Sequence, residues 1–249
     1  LKEYIAECVN ILGDFCGKRD VPALTSEDLR KKYGIEQDIL AHAMKKGIAK
    51  KYIIAGGAGH TTETLRLTMH EKFPDIETAG LPEAKIFEAY IEYRYGLKAD
   101  FLECNSTNCG NNITYLLELL KENNISFNSI ILAQDASMQH RMEAGLRKYV
   151  AEDVIIINYA TYCAHVIVRD SELFFEEEIW GMWDMDRYIA LLMGEIPRLS
   201  DNADGYGPKG KGFIAHVDIR KEVENAFEGL KKEYADMVRA ADPLYASAR

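Results

Sequence analysis

Between Ile39 and Ile157 the sequence changes hydrophobic period repeatedly, and this rhythm limits the available folds more than any motif does. Short strand-like runs occur at Tyr52–Ala55, Ala99–Cys104, Ser129–Ala133 and Val154–Ile157, three of them rich in isoleucine or valine and the second built on Phe101 and Leu102. Stretches with helical spacing separate them, near Thr62–Glu71, Pro82–Tyr95, Cys109–Glu122 and Ser137–Tyr149, with a leading helix at Ile39–Lys46. Apolar runs without in-and-out alternation belong to strands buried on both faces, and a helix between successive strands makes them parallel. The pattern therefore predicts an α/β protein with a Rossmann-like three-layer α/β/α core and a mainly parallel sheet.

The predicted core covers 35–170, with a further strand at His165–Val168. The chain ends read as a smaller helical lobe, 1–34 and 171–249. Leu1, Ile5, Val9 and Leu12 recur at helical spacing, and Thr25 with Asp28 opens a short helix ending near Gly34. From Glu172 onward the pattern reads as helical through FFEEEIWGMWDMDRYIALLMGE, followed by a glycine-rich loop at 200–212 and a helix from Lys221 to about Arg239. One step of the rhythm is missing. No β-branched run precedes the helix DILAHAMKKG, so the pattern predicts an absent segment between Ile35 and Asp38 that carries a strand and a glycine-rich turn. The alternative is a sheet that starts at Tyr52.

Composition narrows function by exclusion. The formal charge of -10 leaves no basic stripe for the phosphate backbone of nucleic acid, so no nucleic-acid partner is expected. No apolar run approaches the roughly 20 residues that span a bilayer, which predicts no integral membrane segment and a cytoplasmic setting, with peripheral membrane association left open. The five cysteines are widely spaced and read as free thiols. Opening on Leu1 instead of Met suggests that residues precede it. No tight His/Asp/Glu cluster proposes a metal.

In parallel sheets, ligands bind beyond the carboxyl ends of the strands, and three polar turns fall there. After FLEC come Ser106, Thr107 and Asn108, all good N-cap residues, with Asn111 and Asn112 in the first helical turn and Glu103 beside them. One cap needs one side chain. The surplus of neutral donors suits a pocket for a polar ligand, and an over-capped helix is the structural alternative. The turn IIAGGAGHTTE offers Gly56, Gly57 and Gly59 for close backbone approach, His60 as a proton carrier or a hydrogen-bonded structural group, and Thr61 at a helix start. The third turn carries Gln134, Asp135, Met138 and Arg141, the last able to hold a phosphate or carboxylate in a fork, or to pair with a glutamate. Glu83 adds a carboxylate beside Pro82, ordinary helix-start chemistry on its own.

Four strings taken together, GGAGHTT, STNCGNN, QDASMQHR and DRYIALLMGEIPRLSDNADGYGPKGKGFIAHVDI, resemble the YdcF-like branch of a bacterial family of unknown function that also includes SanA and ElyC. The likeness runs from about Asp38 to Ile219. It implies a Rossmann-like core with a helical lobe and an association with S-adenosylmethionine. The family pattern covers the GG turn at Gly56 and Gly57, Glu83 with Ala84, Glu103 to Asn112, and Gln134 to Arg141. Relatives begin with an apolar strand and glycine-rich turn that this chain lacks, and the membrane-associated ones carry an anchor helix not seen here. The expected ligand is S-adenosylmethionine or a related nucleotide, with Glu103 or Asp135 accepting ribose hydroxyls. A hydrolase or transferase acting on a phosphate-linked envelope precursor, or a ligand sensor without catalysis, are the other readings; the oligomeric state is not legible.

Overall fold

The computed structural model describes residues 1–20, 36–59, 61–179 and 181–238. In chain order the elements are α1 (Lys2–Cys16), α2 (Glu36–Lys46), β1 (Ile53–Ala55), α3 (Thr62–Lys72), α4 (Glu83–Tyr95), β2 (Phe101–Glu103) and α5 (Cys109–Glu122). They continue with β3 (Ser129–Gln134), α6 (Gln139–Tyr149), β4 (Ile155–Ala160), β5 (Val166–Arg169), β6 (Glu172–Phe175), α7 (Met185–Leu199), α8 (Lys221–Lys231) and a 3-10 turn at Ala235–Met237. The fold is mixed α/β, and each of the four strand-like runs yields one of the strands β1–β4. The chain divides between Ser126 and Phe127, inside the predicted 35–170 core, into one compact unit of residues 36–126 and another of 1–20 with 127–238.

In the 36–126 unit β1 and β2 run parallel, pairing Ile53 with Phe101, Ile54 with Leu102 and Ala55 with Glu103. Ile54 packs with Ala41, Met69, Ile76, Ala84, Ile86, Tyr90 and Ile91 in a core drawn from α2, α3, α4 and the connection between the last two. Gly96, at φ +65°, ends α4 in the left-handed conformation that glycine adopts without strain. Asp38 is buried on α2 and accepts hydrogen bonds from the Tyr90 hydroxyl at 2.8 Å and from the Tyr95 hydroxyl. Burial, followed by the bond to Asp38, pushes the Tyr95 hydroxyl up to about 12. At the predicted junction between Ile35 and Asp38, residues 36–38 are already helical. Ile35 and the expected short helix at Thr25–Gly34 lie outside the described residues.

The other unit pairs β3 with β4 in parallel over six residues, from Ser129 opposite Ile155 to Gln134 opposite Ala160, with α6 as the crossover. Residues 18–20 add to the free edge of β4: Arg19 bridges Tyr159 antiparallel, and the N–H of Ala160 donates to Lys18 O. Helix α1 packs its Ile5, Val9 and Leu12 face against α7, α8 and β5. The helical reading from Glu172 is corrected at its start. Glu172–Phe175 is β6, paired antiparallel with β5 through the two-residue turn Asp170–Ser171, whose φ values of 50° and 64° match a hairpin turn of the primed type. Helix α7 begins only after Asp184, whose carboxylate caps Arg187 N at 2.8 Å. Helix α8 stops at Lys231, short of the predicted Arg239, which lies outside the described residues.

The 200–212 loop is folded on itself. Asp201 accepts from Lys209 N and faces His216 Nδ1, both at 2.7 Å, while the Tyr206 side chain is fully buried. A Cβ on Gly205 would lie 1.9 Å from Ser200 O, and one on Gly210 2.2 Å from Asn202 O. Its glycine density therefore serves contact between its own backbone segments.

Candidate functional site

Because Ala55 stands opposite Glu103, the turns leaving β1 and β2 start side by side at the carboxyl end of the parallel pair. They are bonded to each other. Gly56 N donates to Glu103 O at 2.9 Å, Gly57 N to Ser106 Oγ at 2.9 Å, and Ala58 N to Ser106 O at 3.0 Å. A Cβ on Gly57 would meet Ser106 O at 1.9 Å, so this glycine is used for the approach of one turn to the other. At Gly56 a Cβ would meet the Glu83 side chain at 3.0 Å.

Helix α4 starts against the same turn, with Glu83 N donating to Gly57 O at 2.8 Å and Ala84 N to Gly56 O at 2.7 Å. A relay then runs from Gly59 N to Thr62 Oγ1 and from that hydroxyl to Glu83 Oε1, each step 2.7 Å. Thr61 is the N-cap residue of α3 but makes no side-chain cap bond; the neighbouring Thr62 makes the contacts. His60 lies outside the described residues.

Glu103 is 3% exposed. Its Oε1 accepts from Asn105 N at 2.6 Å and Ser106 N at 2.9 Å, which shapes the turn into α5. Its Oε2 is buried and has no hydrogen-bond partner among the described residues. Asn108 is the cap of α5: its Oδ1 accepts from Asn111 N at 3.0 Å, and its carbonyl accepts from Asn112 N. The other amides partly serve one another, since Asn111 Oδ1 accepts from Asn108 Nδ2 at 2.8 Å and from Thr107 Oγ1 at 3.2 Å. Four polar or charged residues buried at this strand end, Thr62, Glu103, Ser106 and Asn111, would be costly if left unpaired; here all but the Glu103 Oε2 atom take part in this network or its caps.

In the other unit the carboxyl end of β3 looks different. Asp135 Oδ1 accepts from Ser137 N at 2.8 Å, Ser137 Oγ at 2.6 Å and Tyr162 OH at 2.9 Å, while Oδ2 accepts from Trp183 Nε1 at 3.0 Å. Gln134 Oε1 accepts from Asp135 N at 2.8 Å, and Met138 N donates to Asp135 O at 3.0 Å. Arg141 meets Glu195 fork to carboxylate, at 2.6 and 2.9 Å, with the two side chains 6% and 5% exposed. Burial pushes the neighbouring Cys16 thiol well up, and the Glu195 carboxylate adds to this.

The structure thus gathers Gly56, Gly57, Gly59, Thr61, Glu83, Glu103, Ser106, Thr107, Asn108, Asn111 and Asn112 at one strand end. It places Gln134, Asp135, Met138 and Arg141 at another. The bonding partners Tyr162, Trp183 and Glu195 were not legible as site residues. Only Glu195 carried a signal, a single carboxylate in the apolar run IALLMGEIP, which requires a buried partner. Compared with models of known protein families, the chain matches none. Among the described residues no helix is long and apolar enough to cross a membrane, and no group of three or more His, Cys, Asp or Glu is placed to hold a metal ion.

Proposed function

We propose that the turns at the carboxyl end of β1–β2 bind S-adenosylmethionine or a related nucleotide, in a cytoplasmic Rossmann-like three-layer protein of the YdcF-like branch. The observation that supports this reading is the joining of the 56–59 and 103–111 turns through Ser106 and Gly57, which gathers neutral donors and two carboxylates where parallel sheets hold ligands. The Asn and Thr side chains would hold the amino-acid portion, and Glu103 the ribose. Asp135 is less suited to that task, since four donors already fill its carboxylate. Methyl transfer would need mainly proximity and orientation from such a site.

The reading of a phosphate-linked substrate loses its cation, because the Arg141 fork is occupied by Glu195. Calorimetric titration with S-adenosylmethionine, S-adenosylhomocysteine and a sugar nucleotide tests the proposal. Saturable binding of the adenosyl compounds at one site per chain is expected. Binding of the sugar nucleotide without the adenosyl compounds would replace this reading with the phosphate-linked one, and a folded protein that binds none of them would remove both.

A further inference from the structure

Resting on that reading of the β1–β2 end, we infer that Glu103 Oε2 is the acceptor for a ligand's hydroxyl or ammonium group, so that the site selects donor-bearing ligands over free inorganic phosphate. A carboxylate oxygen that is sealed from water and has no partner destabilises the protein that carries it, and native structures keep such atoms where something else fills them. Oε1 of the same carboxylate has a structural task, holding Asn105 N and Ser106 N. Oε2 has none among the described residues. Because it belongs to the carboxylate that bonds the 105–106 turn, it stands at the same strand end as the Ser106–Gly57 junction.

Several of the donors that would attract an anion are already committed. The first two N–H groups of α4 go to Gly57 O and Gly56 O, and Asn108 takes the N–H groups of Asn111 and Asn112. Within the described residues of the turns 56–62, 82–84 and 103–112, the side chains charged at neutral pH are Glu83 and Glu103, and the cation nearest in sequence, Lys85, acts on the Cys104 thiol. A phosphate there would meet like charge and find those N–H groups taken, whereas a hydroxyl or ammonium group meets an unfilled acceptor. Solvent does not touch Oε2 in this structure, so binding through it requires an adjoining turn to shift.

The test compares the wild-type chain with Glu103→Gln, which keeps an oxygen for Asn105 and Ser106 but sets an NH₂ group where Oε2 stands. Thermal midpoints are measured without ligand, then affinities for adenosine and S-adenosylhomocysteine, with inorganic phosphate as competitor. The expected result is a midpoint unchanged or raised, a loss of affinity of about tenfold to a hundredfold, and no competition by phosphate. Full affinity in the variant would overturn the inference and leave the adenosyl reading in place. A fall in midpoint and affinity together would show that Glu103 serves only the fold, and would also overturn it. Should Glu103→Gln fail to fold, the wild-type competition still decides, since displacement of S-adenosylhomocysteine by phosphate sinks the inference. Absence of adenosyl binding by the wild-type chain would sink both.

Discussion

Arg141 and Glu195 lie on α6 and α7, each almost wholly buried, and their forked pairing gives each ion the partner that burial demands. Removing one member leaves the other charged and dry. Arg141→Ala is therefore expected to cost about 3–5 kcal/mol, while Arg141→Met with Glu195→Leu recovers most of the loss or all of it. Urea denaturation of the wild type, each single variant and the pair checks this. A double variant as unstable as Arg141→Ala would mean that the ions have a role beyond compensating each other. Gly57 shows the same dependence on surroundings: the sequence allowed its backbone to approach something closely, and the structure shows that Ser106 occupies that space.

Among the elements, those read correctly from sequence carry their own boundary signals. Helix α5 spans Cys109–Glu122 as predicted, because Asn108 caps its start and the apolar positions Ile113, Leu116 and Leu120 repeat along one face. The β5–β6 hairpin has no such signal. Its second strand is followed at once by the acidic run at 176–178, which suits a helix as well as a turn, and strand conformation comes from pairing with β5. Asp170 and Ser171 both hold positive φ, and Asn-Gly is the pair best suited to that turn. Replacing them by Asn and Gly is expected to stabilise the protein by about 0.5–1 kcal/mol. A chemical denaturation midpoint that falls instead would show that their side chains make contacts that matter more than backbone strain.

On the scale of the whole molecule, acidification should act through His140. Its Nδ1 donates to Phe15 O at 2.8 Å, and its ring lies 4.6 Å from that of Phe15. Burial, aided by Lys18, lowers its pKa from 6.5, while the Phe15 bond, Glu143 and Glu195 pull the other way. The unfolded chain then binds a proton near pH 6.5 that the folded chain declines. Stability accordingly falls as the pH drops through 6.5, and the loss stops growing below the depressed folded value. His42 is shifted in the same direction, so part of the slope survives without His140. Urea midpoints between about pH 8 and about pH 5 should fall less in His140→Asn than in the wild type; equal slopes would assign the effect elsewhere.

The sequence by itself determined the order of strands and helices from α2 to β5, the parallel direction of β1–β2 and β3–β4, and the strand ends at which the polar turns lie. These follow from local period and from caps, which act over a few residues. Tertiary structure decided which polar groups remain open. Asp135 and Arg141 looked as available as Glu103 until Trp183, Tyr162 and Glu195 arrived from distant parts of the chain to occupy them. Whether a hydrogen-bonding group is satisfied depends on neighbours brought in by packing, and the residues beside it in the chain do not specify those neighbours.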